Sequence, residues 1–160
     1  MTDSEKGKVL FVCTGNSCRS VMAEGLLRHF LKQKGRPGTQ VISAGTHTIP
    51  GMGPTQETIE SMRAEGIDVT SHLSQPLTPE LVQRADVIFC MEEFHQDQIL
   101  AFHPEAAPKV HLLRTFRNPR PEPDPNIPDP IGRPAHVYEA CLATVREGIE
   151  RVLQWLEEPS

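Results

Sequence analysis

The chain has 160 residues, a length that suits one compact domain with a real core. Its net charge is −5 with no Lys/Arg run, which argues against a nucleic-acid or anionic-membrane surface. The polar start MTDSEKGK carries no signal-peptide stretch, nothing is long and apolar enough to span a bilayer, and four cysteines (13, 18, 90, 141) do not make a disulfide framework at this size. A cytoplasmic, reduced protein is therefore expected.

Residues 1–7 read as a disordered tail before a single domain over 8–160. Lys8–Cys13 is a short apolar run with Val and Phe, suited to a buried strand. Thr14 to Cys18 is small and polar, with Gly15 and Asn16 able to take positive φ. A helix is predicted over 19–34: Met22, Leu26 and Phe30 form one apolar row, and Leu27 and Leu31 the next. Gly35 is its left-handed cap and Arg36-Pro37-Gly38 the turn. A second strand covers 40–44, followed by a Gly/Pro-punctuated loop over 45–53. Pro54 suits the first turn of a helix over 54–65, with Ile59 and Met62 inward and Gly66 at its end. Residues 67–78 are irregular, and Thr78-Pro79-Glu80 starts a short helix. A third, fully buried strand is read over 85–91. A helix over 93–102 and a fourth strand over 110–113 follow. Residues 118–134 hold seven prolines and form a loop, long for a compact domain and therefore a candidate for function. The last helix, over 134–156, stacks Tyr138, Cys141, Val145, Ile149, Val152 and Leu156 on one face.

Strands alternating with helices imply an α/β fold: a four-stranded parallel sheet with helices on both faces, in three α/β/α layers, joined by right-handed crossovers. A ligand site is expected outside the carboxyl ends of the strands, where Cys13 lies. A loop curling into a helix N-terminus aims backbone N–H groups and the helix dipole at one spot, which suits an anion. Arg19 adds a planar, charged fork that matches two phosphate oxygens. The same field favours the thiolate of Cys13, the nucleophilic form. Cysteine, five residues, then arginine thus unites attack and charge stabilisation. A purely structural alternative is a buried cysteine ending a strand, with Arg19 solvated.

The run Cys13-Thr14-Gly15-Asn16-Ser17-Cys18-Arg19-Ser20, followed by Met22-Ala23-Glu24, resembles the phosphate loop of the low-molecular-weight protein-tyrosine phosphatase family. That family includes bacterial protein-arginine phosphatases and thioredoxin-linked arsenate reductases. The resemblance continues through Ser43-Ala44-Gly45, Gly66-Ile67-Asp68, Ser71-His72, Ala85-Asp86-Val87-Ile88 and Asp129-Pro130-Ile131-Gly132, and spans roughly residues 8 to 157. It implies hydrolysis of phosphoprotein substrates through a phosphocysteine on Cys13, with Thr14, Gly15, Asn16, Ser17, Cys18 and Arg19 holding the phosphate.

Expulsion of an alkoxide calls for a general acid that then serves as base for water. The proline-rich loop offers Asp124-Pro125 and Asp129-Pro130, and the residues alone do not choose between them. The resemblance selects Asp129, since Asp-Pro-x-Gly before the final helix matches the family's acid motif. It also implies that Ser20, Ser43 and His72 support Asn16, and that Ser20 donates to the Cys13 sulfur. No histidine or cysteine spacing fits a metal site, and no cofactor is expected. Cys18 lines the loop and is a candidate to trap an oxidised Cys13 as a disulfide.

Two substrates fit. Tyrosine-specific members carry a large apolar residue where this chain has Ser17, and place aromatic residues after Asp-Pro and in the loop after the second strand. Here those regions read Ile131-Gly132 and His47-Thr48-Ile49. Arginine phosphatases resemble Thr14-Gly15-Asn16 more closely, with Thr in place of Ser17, yet their Asp-Pro-Phe-Gly-Gly is only partly met by Ile131 and Arg133. Val21, where most phosphatases have Pro, touches no chemistry. Arsenate reduction needs two further redox cysteines after the third strand, where only Cys90 is found. A non-hydrolytic phosphocysteine carrier would have no use for Asp129. The oligomeric state is beyond the sequence.

Overall fold

The computed structural model describes residues 6–36, 38–120 and 122–159. Four strands, β1 (Lys8–Cys13), β2 (Gln40–Gly45), β3 (Val87–Cys90) and β4 (Val110–Leu112), form one parallel sheet in the order β2-β1-β3-β4. Five helices connect and follow them: α1 (Arg19–Gln33), α2 (Gln56–Ala64), α3 (Pro79–Arg84), α4 (Glu93–Phe102) and α5 (Ala135–Glu157). The expected three-layer α/β/α arrangement is thus observed.

Alternation along the strands builds the two layers of core. Val9, Phe11, Val87 and Phe89 face one way, into a cluster with Met22, Leu26, Leu27, Met62, Val145, Ile149 and Val152 of α1, α2 and α5. Leu10, Val12, Ile88 and Cys90 face the other, against Val82, Ile99 and Ala106. The Phe11 and Phe89 rings stack across β1 and β3 at 5.7 Å. Burial holds the Cys90 thiol well above the ordinary range and pushes Cys141 up to about 12, so both are inert core groups.

Several boundaries differ from the expectations. The second helix begins at Gln56 rather than Pro54, because Thr55 caps it, its Oγ1 accepting the Thr58 N–H at 3.2 Å. Its inward face is Thr58 and Met62, while Ile59 is only half-buried. The third strand is trimmed to Val87–Cys90, although the flanking Asp86 and Met91 N–H groups still bond Lys8 and Val12 carbonyls of β1. β2 runs one residue further, to Gly45, and a 3₁₀ segment, Pro104–Lys109, precedes β4. Gly35 takes φ 64° as the left-handed cap of α1. The proposed turn at 36–38 includes Pro37, which lies outside the described residues, as do residues 1–5 of the expected tail. Lys6, assigned to that tail, is instead largely buried, its Nζ donating to the Trp155 carbonyl at 2.7 Å and the Glu158 carbonyl at 3.0 Å. Among the described residues no helix is long and apolar enough to cross a membrane.

Candidate active site

The carboxyl ends of β1, β2 and β3 meet where the β1 to α1 loop begins. Cys13 ends β1, 2% exposed. Its Sγ accepts the Asn16 backbone N–H at 3.3 Å and lies 2.9 Å from Ser20 Oγ. Ser20 Oγ itself accepts Asn16 Nδ2–H at 2.8 Å, which leaves its hydroxyl proton for the sulfur. Two donors beside a helix N-terminus suit an anionic sulfur.

Asn16 takes φ 53°, the left-handed conformation that bends the loop back over Cys13. Every polar atom of its side chain is paired. Nδ2 donates to Ser20 and to Ser43 Oγ at 2.9 Å, and Oδ1 accepts the Gln75 N–H at 2.9 Å. The Asn16 carbonyl lies 2.9 Å from His72 Nε2. Ser43 in turn donates to Glu24 of α1. The expected supports Ser20, Ser43 and His72 therefore all reach Asn16, and Gln75 and Glu24 join them unforeseen. Gly45 ends β2 against this loop: a Cβ there would lie 2.5 Å from the Thr14 carbonyl oxygen.

Arg19 begins α1 and is 1% exposed. Its Nη1 donates to Glu92 and to the Ile127 carbonyl at 2.7 Å, and its Nη2 approaches Thr14 Oγ1 at 3.5 Å and Asp129 Oδ2 at 3.7 Å. Burial opposes its charge, but Cys13, Glu92 and Asp129 more than offset that and raise its pKa. Glu92, the residue before α4, escaped the sequence reading.

The two Asp-Pro pairs separate in space. Asp129 faces Arg19, and its Oδ1 accepts the Ile131 N–H at 3.1 Å. Asp124 instead lies 3.9 Å from Arg114 Nη1 and accepts the Asn126 N–H, closing a local turn beside Arg114. Cys18 is buried, its Sγ facing Thr55 Oγ1 at 3.5 Å and Tyr138 Oη at 3.6 Å, and all four cysteines are thiols. Ser17 is half-buried and its carbonyl accepts the Thr55 N–H.

α4 adds a ring beside the loop that the segments at 47–49 and 131–132 do not supply. The Thr14 carbonyl accepts the His47 N–H at 2.9 Å, and His47 stacks on Phe94 of α4 at 6.1 Å and 18° between planes. Phe94 is 52% exposed, Ile49 70% and Ile131 54%, leaving apolar surface beside the loop.

A strand-end cysteine, a left-handed Asn turn, a buried arginine and a nearby carboxylate can bind an oxyanion and attack its centre. Known proteins resemble the chain over most of its length. The chain is 37% identical over 142 residues to the probable low molecular weight protein-tyrosine-phosphatase EpsP of Ralstonia solanacearum, covering 89% of this chain and 90% of that one. It is 34% identical over 150 residues to a protein-arginine-phosphatase of Geobacillus stearothermophilus, covering 94% and 96%. Among solved structures, a mutant of the YwlE arginine phosphatase with a phosphorylated active-site serine superposes with a TM-score of 0.86 at 28% identity, covering 94% of this chain and 96% of that one. The family model for low molecular weight phosphotyrosine protein phosphatase matches residues 8–159, and the chain belongs to that family.

Proposed function

We propose that this chain hydrolyses phosphorylated side chains of proteins, phosphotyrosine foremost, through a phosphocysteine on Cys13. The observation that carries the reading is the buried Arg19, whose guanidinium is shared between the Cys13 loop, Glu92 and Asp129. The phosphoryl group binds the N–H groups of residues 14–19 and the Arg19 fork. The Cys13 thiolate attacks phosphorus, the bond to the leaving atom breaks, and Asp129 gives that atom its proton. Water then attacks the phosphocysteine, Asp129 takes the water's proton, and phosphate leaves with the thiolate restored. The relative with a phosphorylated active-site serine supports such an intermediate.

Phe94 favours phosphotyrosine, since its exposed ring can face a substrate ring, a contact worth about 1 kcal/mol. Phosphoarginine is the second reading, favoured by Ser17, whose hydroxyl stands where tyrosine-specific members carry an apolar residue. The four thiols agree with action in the reducing cytoplasm.

The test pairs wild type and Cys13→Ser on a phosphotyrosine peptide and a phosphoarginine peptide, reading released phosphate. Cys13-dependent release from phosphotyrosine supports the first reading. Preference for phosphoarginine transfers specificity to Ser17, to be checked with Ser17→Ile. Release from neither by a folded protein refutes both.

A further inference from the structure

The hydroxyl of Thr14 is engaged in a way that leaves its own proton without an acceptor among the described residues. Its Oγ1 lies 2.9 Å from His95 Nε2 and 3.5 Å from Arg19 Nη2. The direction of the first bond is decided at the other side of the ring. His95 Nδ1 accepts the Glu92 backbone N–H at 3.0 Å and so carries no proton. Burial, then the charge of Arg19, pushes the ring's pKa down to about 4, so it is neutral at neutral pH. A neutral imidazole with a bare Nδ1 holds its proton on Nε2, and that N–H donates to Thr14. The guanidinium has only donors, so Arg19 donates as well. Both lone pairs of Oγ1 are then taken. Among the described residues, no acceptor meets the remaining O–H.

Thr14 is half-buried and stands first in the loop after Cys13. The guanidinium nitrogen it touches is the one 3.7 Å from Asp129. We infer that the Thr14 hydroxyl donates to the phosphoryl group of the substrate, on the side of the leaving atom, and that His95 is the positioning residue that aims it. The inference rests on the phosphatase reading above. It assigns the buried imidazole a task that composition and spacing do not suggest.

The experiment uses 4-nitrophenyl phosphate for turnover and inorganic phosphate, by calorimetry, for binding. Wild type and Cys13→Ser come first, so that failure of the phosphatase reading is seen by itself. Thr14→Val keeps the shape and deletes the donor. Its kcat/KM falls roughly ten- to hundred-fold, the range for one hydrogen bond to an anion, and phosphate binding weakens. Thr14→Ser recovers most of both. His95→Ala loses by a similar factor, His95→Gln restores a donor near Nε2 and recovers activity, and His95→Ala with Thr14→Val is no worse than Thr14→Val alone. If Thr14→Val does not fold, Thr14→Ala against Thr14→Ser makes the same comparison. Turnover and phosphate affinity of Thr14→Val within about two-fold of wild type overturn the donor assignment. Additive losses in the double variant overturn the positioning role of His95.

Discussion

Arg19 and Glu92 form an ion pair that ties the start of α1 to the residue before α4, with Arg19 1% exposed and Glu92 31% exposed. A charge so fully buried is tolerated only when paired and hydrogen-bonded. The pair fixes one guanidinium nitrogen and leaves the other beside Thr14 and Asp129. Glu92→Gln keeps a hydrogen-bond acceptor and removes the charge. It is expected to lower kcat/KM roughly ten-fold, the worth of about 1.5 kcal/mol in a charge-assisted bond. Steady-state kinetics on 4-nitrophenyl phosphate check this, with unchanged circular dichroism as the control for folding.

The close approach of β2 to the loop gives a second test. A methyl at Gly45 meets the Thr14 carbonyl oxygen at 2.5 Å and the Asn16 nitrogen at 3.0 Å, and both neighbours are backbone. Gly45→Ala must therefore displace the loop. A stability loss of about 1–3 kcal/mol is expected, with turnover falling further than stability explains. Urea denaturation beside kinetics separates the two, and a variant with normal turnover contradicts the close packing.

What the sequence made legible follows from where partners lie along the chain. Cys13, Asn16, Arg19 and Ser20 fall within eight residues, so their joint chemistry is visible as a motif. The sheet and its two faces follow from alternation in β1 and β3. Glu92, Phe94 and His95 were not visible as site residues, because they reach the loop only through strand pairing. Val12 pairs with Cys90, so the residues just past β3 emerge beside those just past β1. Polar residues directly after a neighbouring parallel strand were the available signal. Residue chemistry alone leaves Asp124 and Asp129 open and only the resemblance favours Asp129; in the fold their different arginines separate them.

Acid should loosen the fold through His95. Its pKa is pushed down from 6.5 to about 4, first by burial and then by Arg19. Between those values the unfolded chain binds a proton that the folded ring refuses. The contribution is therefore complete above about pH 6.5 and is lost as the pH falls toward 4, on the order of 3 kcal/mol in all. Urea midpoints taken from pH 7 to 4 should fall less steeply in His95→Gln than in wild type. Burial of His111 acts in the same direction in both proteins and cancels in the comparison.

The exposed ring of Phe94 bears on substrate choice. Phe94→Ala is expected to raise KM for a phosphotyrosine peptide about five-fold, from loss of about 1 kcal/mol of ring contact, and to leave an alkyl phosphate nearly unaffected. Equal effects on both substrates would remove Phe94 from the binding surface.

The most direct test of the central claim is rapid acid quench of Asp129→Asn during turnover of 4-nitrophenyl phosphate, followed by mass spectrometry. The nitrophenolate leaves without a proton, so attack by Cys13 proceeds while hydrolysis of the intermediate lacks its base and slows by roughly a hundred-fold or more. The account predicts a phosphoryl group accumulating on Cys13, with none in Cys13→Ala, which removes the nucleophile altogether. Turnover that persists in Cys13→Ala, or a phosphoryl group on any other residue, would contradict it.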